Sequence, residues 1–251
     1  MADSPAKRHY NRVLAAQEAA SKAPDQLMAG ATAYEQHMAM LQHDRLRLKQ
    51  VQSDQGKAEL KRQMLPAYGS YVAGVIEGGN GAADEVVTTT MLWCIDVTDY
   101  NAALEIAEYV LKHNMAMPDR FARTTGCLVA EEIAEAALNA QRTGAVFDLQ
   151  ILGRAAYLTE GQDMPDEVRA KLHLAIGRAS LAEAERTDSE LSLDVAIANL
   201  KRAIALHSSC GGKKDLERAE RLLKKHAATP AADSGSGTDA NAGNGDGTTG
   251  S

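Results

Sequence analysis

The stretch MLWCIDVTDYNAALEIAEYVLKHNMAMP, residues 91–118, decides the fold class of this chain. Apolar side chains recur in and just before it at intervals of three and four, at Val87, Met91, Cys94 and Ile95, and then at Ala103, Ile106, Ala107, Val110 and Leu111. Such spacing places each set along one face of an α-helix. We therefore predict two helices, residues 83–97 and 101–113, joined by a tight turn into an antiparallel hairpin.

The ends of this hairpin carry residues with a defined capping chemistry. Asp99 suits the region before the second helix, Asn114 suits a left-handed position at its end, and Pro118 blocks continuation. The hairpin lies in a window, residues 63–111, that contains no Lys or Arg. Its simplest interpretation is a core scaffold, and stacked helical hairpins of this kind usually bind proteins. Trp93, the only tryptophan of the chain, is expected to be at least partly buried.

The rest of the chain continues the helical pattern. Further helices are predicted over residues 33–62, with a break near 53–56, and then over 67–77, 127–142, 147–160, from 165 onward, around 193–204, and over 214–226. The low aromatic content of 4%, with abundant alanine, also favours close helix packing over a β-sandwich. The predicted fold class is all-α, built of stacked antiparallel helical hairpins similar to tetratricopeptide repeats.

Four regions are predicted along the chain. Residues 1–32 are expected to be a flexible basic segment, and residues 33–81 an N-terminal helical region with one longer helix. Residues 82–226 form the helical-hairpin domain, in which 99–118 and the segment around 175–203 are similar to degenerate repeats, the second with extra residues in its turn. Residues 227–251 form a tail rich in Gly, Ser and Asp that is expected to be disordered.

Composition limits the possible classes of function. The formal net charge is -7 at pH 7, so any contact with nucleic acid must use a local patch. The three cysteines are widely spaced and form no CxxC motif, which is typical of reduced thiols in a cytosolic protein. No apolar run approaches the roughly 20 residues of a membrane span, and residues 1–12 lack the apolar segment of a signal peptide.

No established catalytic motif stands out. The glycine-rich GGNGAA at 78–83 lacks the Gly-Lys-Ser/Thr ending of a P-loop and is predicted to be a turn. The remaining candidates for a metal-dependent nuclease centre are four acids, Asp84, Glu85, Asp96 and Asp99. The first and third of these lie about 18 Å apart along one helix, too far to share a metal ion. Helix capping and surface solubility explain the acids better, so no intrinsic cofactor or metal is predicted.

Five blocks of sequence carry a resemblance to a known family. They are SPAKRH (4–9), YEQHM (34–38), ELKRQMLPAYGSYVAGVIEGGNGAADEVVTTTMLWCIDVTDYNAALEIAEYVLKHNMAMPDR (59–120), DMPDEVRAKLH (163–173) and Gly-Lys-Lys (212–214). In this order they resemble the terminase small subunit, or M protein, family of Peduovirus-type tailed phages, over roughly residues 4–225. The tail differs, since the family pattern there is rich in Lys and Pro.

The resemblance implies a nucleoprotein assembly as the setting of function. The family is commonly described as the endonuclease subunit of terminase, which acts with a large ATPase subunit at the cohesive-end site of double-stranded phage DNA. The two subunits direct packaging of the genome into the prohead, in the host cell cytoplasm. A homo-oligomer is implied as well, for which a ring is one arrangement, and no membrane is involved.

Two groups of cations are candidates for contact with DNA phosphates. Small terminase subunits tend to place DNA recognition near the N-terminus, which favours a first group of Lys7, Arg8, Arg12, Arg45, Arg47, Lys49, Lys57, Lys61 and Arg62. The second group follows the spacing i, i+4, i+7, i+11 on one face of the last predicted helix, at Lys214, Arg218, Arg221 and Lys225. In both groups the alternative interpretation is a solvated helical face.

Two functions stay open at this point. In the first, the chain is a DNA-recognition and adaptor subunit that oligomerises, binds the packaging site and presents it to the large subunit. In the second, it is itself an endonuclease that cuts the cohesive-end site with Mg²⁺ as its cofactor. The adaptor is favoured because the sequence contains no recognisable nuclease constellation.

Overall fold

The structure is a computed structural model, and it describes residues 4–24, 26–117 and 123–228. Within these ranges the chain forms eleven α-helices and one 3₁₀ turn, Leu65–Ala67, and its only β-type pairing is an isolated bridge between Leu27 and Ala83. The helices are α1 (Pro5–Ala20), α2 (Thr32–Lys49), α3 (Asp54–Met64), α4 (Gly69–Gly78), α5 (Glu85–Asp96), α6 (Tyr100–Lys112), α7 (Thr125–Arg142), α8 (Leu149–Thr159), α9 (Asp166–Thr187), α10 (Glu190–Leu206) and α11 (Lys213–Ala228). The all-α fold class is confirmed.

Helices α5 and α6 form the hairpin predicted from the sequence. Asp84 precedes α5 and accepts a hydrogen bond from the N–H three residues later (2.9 Å), and Asp99 does the same at the start of α6 (3.2 Å). Asn114 follows α6 with a φ of 52°, the left-handed conformation predicted for it. Trp93 is buried, as expected, whereas Pro118 lies outside the described residues.

The N-terminal helix α1 is part of the core. It lies so close to α4 that a Cβ added at Gly74 would come within 2.2 Å of the Arg12 carbonyl oxygen. Ala15 and Ala19 are buried in the same contact. Small side chains allow two helices to approach this closely. Most of the described part of residues 1–32, the segment predicted to be flexible, is thus a packed helix.

The long helix predicted over residues 33–62 is broken into α2 and α3 by residues 50–53, next to the break predicted near 53–56. Ser53 caps α3 by accepting a hydrogen bond from the Gly56 N–H (3.1 Å). Apolar residues recur along α2 at Tyr34, Met38, Leu41 and Leu48, and all four pack in the main apolar cluster or against it. The buried residues of α2 are Ala33, His37, Leu41 and Asp44. Apolar spacing does not reveal the two polar members, because each has a partner that only the folded chain supplies.

The C-terminal helices pack around a second, smaller apolar cluster. Helix α9 contributes Val168 and Leu172 to the main cluster and Leu181 to the second one. Helices α9 and α10 are joined through Asp188, which has a φ of 56°, and Ser189, which caps α10. This turn is shorter than the one expected from the repeat-like pattern. The tetratricopeptide-like stacking and the proposed domain boundaries stay predictions.

The main cluster draws side chains from α1 through α9 and therefore fixes the basic helices α2 and α3 relative to the acidic hairpin. Helix α11 continues to Ala228, and the tail prediction for residues 227–251 otherwise lies outside the described residues. No described helix combines the length and the apolar character needed to cross a membrane.

Candidate nucleic-acid interface

Helices α2 and α3 bring four of the predicted DNA-contacting side chains to one groove. The groove lies between these helices and α5, has a volume of about 720 Å³, and includes Arg45, Lys49, Lys57 and Lys61 in its lining. The break after α2 lets the cations of α3 reach the same space as those of the last turns of α2. The sequence predicted these residues but not their convergence, which depends on how the two helices are set against each other.

The opposite side of this basic groove is apolar and acidic. Leu92, Trp93 and Leu128 contribute apolar surface, and Asp96 and Glu132 contribute carboxylates. Burial, together with the neighbouring Asp96, raises the pKa of Glu132. Carboxylates repel phosphates, so the basic rim formed by the cations of α2 and α3, rather than this opposite side, is the part of the groove that suits a phosphate.

Two of the groove cations are fixed by ion pairs to α5. Arg45 pairs with Glu85 (2.7 Å) and donates a hydrogen bond to Thr89 Oγ1 (2.9 Å). Lys61 pairs with Asp96. These contacts tie the basic helices to the acidic hairpin. Arg45 and Lys61 therefore have a structural role whether or not they meet DNA.

The other two groove cations are available to a ligand. Lys49 is exposed and forms no ion pair with any described residue. Lys57 reaches Asp54 at 3.4 Å, and this aspartate side chain is fully exposed. Exposed pairs of this kind contribute little, about 0–1 kcal/mol. Lys49 and Lys57 are thus the groove cations most free to bind a phosphate.

The remaining cations of the N-terminal group lie outside the groove. Lys7 and Arg8 are exposed in the first turn of α1. The other three form ion pairs at 2.6–2.9 Å, Arg12 with Glu77, Arg47 with the buried Asp44, and Arg62 with Glu59. Three of the cations predicted to contact DNA are therefore already paired with carboxylates of the same chain.

The second group of cations lies on an exposed face of α11. Its members are all exposed, namely Lys214, Arg218, Arg221 and Lys225. On the other side of the helix Ala219 is buried, and Leu216 and Leu223 pack against the second apolar cluster. Arg218 pairs with Glu185 (2.6 Å). The amphipathic character of this helix is confirmed, while its contact with DNA stays a prediction.

The four candidate nuclease acids are not brought together by the fold. Asp84 and Asp99 cap α5 and α6, whereas Glu85 and Asp96 pair with cations of α2 and α3. Asp84 and Asp96 stand at opposite ends of α5, about 18 Å apart along its axis. In the part of the chain that the structure describes, no group of three or more His, Cys, Asp or Glu is arranged to hold a metal ion.

A buried polar network behind the basic groove was not predicted from the sequence. Tyr71 donates a hydrogen bond to Asp84 (2.5 Å), and Tyr68 donates one to Asp44 (2.9 Å). His37 stacks on Tyr71 with the ring centroids 4.4 Å apart. Burial raises the pKa of Asp84 to about 6, although the hydrogen bonds that it accepts oppose this shift. The two tyrosines, three residues apart in a chain poor in aromatics, were the available sequence signal.

Two comparisons with known proteins agree on a family. Residues 38–167, more than half of the chain, match a family described as phage small terminase subunit. The chain therefore belongs to the phage small terminase subunit family, and the resemblance predicted from the sequence blocks is confirmed. It is 41% identical over 221 residues to the "Terminase, endonuclease subunit" of Escherichia phage P2, an alignment that covers 88% of this chain and 86% of the relative. No solved structure matches the chain significantly.

Proposed function

We propose that this chain is the DNA-recognition and adaptor subunit of a phage terminase. It oligomerises, binds the cohesive-end packaging site of the viral genome and presents that site to the large ATPase subunit. The two subunits together then direct cleavage and packaging of the DNA into the prohead. The observation that carries this proposal is the membership of the small terminase subunit family.

The rim of the basic groove is the favoured place for DNA contact. Lys49 and Lys57 have charges that are not held in short ion pairs, and Arg45 and Lys61 lie beside them in the groove lining. Because the whole chain carries a net charge of -7, attraction to DNA is confined to such patches. In a homo-oligomer the patch is repeated, so that individually weak phosphate contacts combine into a stable complex.

A second candidate function is that of a Mg²⁺-dependent endonuclease. It is favoured by the name of the phage P2 relative, which describes an endonuclease subunit. Hydrolysis of a phosphodiester with Mg²⁺ requires carboxylates that converge on one ion. The candidate acids of α5 and α6 instead act as helix caps and ion-pair partners, which favours the adaptor.

The test of the proposed function uses the purified chain without the large subunit. A labelled duplex that contains the cohesive-end site and a duplex of scrambled sequence are each incubated with the chain, with and without Mg²⁺. We expect tighter binding to the site duplex and no nick in either strand. Equal affinity for the two duplexes would contradict site recognition, and Mg²⁺-dependent nicking of the site duplex would establish the endonuclease instead.

A further inference from the structure

A second groove lies on the acidic side of the molecule, between α4 and the hairpin of α5 and α6. It has a volume of about 520 Å³. Its lining is mainly apolar, with Val72, Ala73 and Ile76 from α4 and Val97, Ala102 and Ile106 from the hairpin. Ala73, Ile76 and Ala102 are only partly buried, so the groove presents apolar surface that no described residue covers.

The lining of this acidic groove includes a polar group without a partner. Thr90 is only 4% exposed, and its Oγ1 is buried and forms no hydrogen bond within the described ranges. Buried hydroxyl groups in proteins normally have a hydrogen-bond partner. Thr90 belongs to the lining, so this buried hydroxyl lies at the wall of the groove.

The charge of the acidic groove is determined by two carboxylates. Asp99 and Glu105 both belong to its lining, and Glu105 is exposed and forms no ion pair with any described residue. The single cation of the lining, Arg62, is already engaged by Glu59 (2.6 Å) and by the carbonyl oxygen of Val97 (3.5 Å). All other lining residues fall between positions 63 and 111, where the sequence contains no Lys or Arg.

We propose that the acidic groove binds a basic amphipathic helix of a partner protein. The apolar stripe of that helix packs against Ile76 and Ile106, and its Lys or Arg side chains meet Asp99 and Glu105. A groove walled by helices and lined with apolar side chains suits a helix, and charge complementarity selects a basic one. The inference rests on the proposed adaptor function and deepens it, because it gives the adaptor a protein-binding surface distinct from its DNA-binding one.

Two substitutions change the acidic groove while sparing the fold. Gly69 lies in its lining, and a Cβ added there meets no atom within 4 Å, so Gly69→Leu adds a side chain at an open position of the groove. Gly153 in α8 has the same open surroundings outside the groove, which makes Gly153→Leu the matched control. Glu105→Lys reverses the charge of one carboxylate in the acidic groove. Its control is Glu217→Lys, which makes the same change at an exposed position of α11.

The experiment titrates the full chain with two synthetic peptides of equal length. Both carry leucines in a helical stripe, and the other positions are Lys in one peptide and Glu in its counterpart. We expect the Leu/Lys peptide to bind one to one, and the Leu/Glu peptide to bind at least about tenfold more weakly. Gly69→Leu and Glu105→Lys should each weaken the Leu/Lys complex by about tenfold or more, and both control variants should stay within about twofold.

Three outcomes would overturn the proposal. The first is equal binding of the two peptides, and the second is binding that neither groove variant changes. The third is loss of self-association in Gly69→Leu, measured by sedimentation without peptide. That result would assign the groove to a second copy of the chain. If circular dichroism shows that Gly69→Leu does not fold, Glu105→Lys still tests the proposal, because Glu105 is exposed and its replacement does not disturb the core. Peptide binding is measured without DNA, so its failure is distinguishable from a failure of site recognition.

Discussion

At the scale of single residues, the acids of α5 and α6 are held by structural contacts. Asp84 is the buried cap of α5 and accepts a hydrogen bond from Tyr71, and Asp96 pairs with Lys61. Asp99 caps α6. A carboxylate that caps a helix end or pairs with a cation therefore has a role in the fold. These roles account for the acids without invoking a catalytic metal ion.

The raised pKa of Asp84 predicts how stability depends on pH. In the folded protein the pKa of this carboxyl group is about 6, above the ordinary value of 3.8. The contribution of Asp84 to the free energy of unfolding is therefore largest at low pH and falls as the pH rises from about 4 to about 7. Asp84→Asn keeps a capping oxygen and removes the buried charge, so its stability relative to the parent should increase over this range, by at most about 3 kcal/mol.

Urea unfolding of the parent and of Asp84→Asn, repeated between about pH 4 and pH 8, measures this difference. Asp194→Asn removes an exposed carboxylate from α10 and serves as the control, for which the difference should be constant. A difference for Asp84→Asn that does not change with pH would show that the buried carboxyl does not titrate as described.

Trp93 is the residue whose truncation should cost most in the hairpin. It is 6% exposed, and its ring makes a T-shaped contact with that of Tyr68, with the centroids 5.7 Å apart. Trp93→Ala is expected to lower the free energy of unfolding by about 3–5 kcal/mol. Asp96→Asn and Asp99→Asn should each cost about 1 kcal/mol or less. Chemical unfolding followed by circular dichroism provides the comparison, and similar losses in all three variants would contradict the core position of Trp93.

At the scale of elements, the sequence predicted the helices and their caps but not the contacts between distant helices. The hairpin of α5 and α6 followed from apolar periodicity and from Asp99 and Asn114, which act within their own chain segment. The burial of Asp44 and His37 in α2 could not be predicted, because both are polar and their partners Tyr68 and Tyr71 lie outside α2 in sequence. For the same reason the sequence named the cations of α2 and α3 but not their ion pairs with α5.

The basic rim formed by α2 and α3 makes a prediction about DNA affinity. Arg45 is unsuitable for the test because it also ties α2 to α5. The double variant Lys49→Ala, Lys57→Ala is expected to weaken DNA binding and to reduce the slope of log K against log salt by up to about two, since each phosphate contact contributes about 0.9. Fluorescence titrations of a labelled site duplex at several salt concentrations measure this slope.

The matched control for the basic rim is the double variant Lys214→Ala, Arg221→Ala, which removes the same charge from α11. It should leave the slope close to that of the parent protein. If this pair lowers the slope and the α2–α3 pair does not, the DNA contact belongs to α11 and the assignment to the basic groove is wrong.

At the scale of the whole molecule, the linings of the two grooves differ in their balance of charge, since cations outnumber carboxylates in the basic groove and carboxylates outnumber cations in the acidic one. The basic groove includes cations of α2 and α3, whereas the acidic groove is bounded by α4, α5 and α6. The ion pairs of Arg45 and Lys61 hold the two sides together. The DNA contact and the protein contact that we propose would therefore use different surfaces of the chain. No local sequence pattern could reveal this arrangement, because it arises from the packing of distant segments.

The C-terminal tail gives a prediction for the whole chain from sequence alone. Residues 229–251 contain no large apolar side chain and no Lys or Arg, so they have little to bury. Their removal is expected to change Tm by no more than about 1–2 °C and to leave the oligomeric state unchanged. Calorimetry and sedimentation of the truncated chain test this, and a larger fall in Tm would mean that the tail stabilises the folded protein.

The central claim is that the chain recognises the packaging site while the acids of its hairpin serve the fold. The most direct measurement is cohesive-end cleavage by the reconstituted two-subunit terminase, carrying either Asp84→Asn or Asp96→Asn in this chain. The account predicts that both variants support cleavage at close to the parent rate. Loss of cleavage in either variant, with DNA binding, oligomerisation and ATPase coupling all normal, would contradict it and would place nuclease chemistry in this chain.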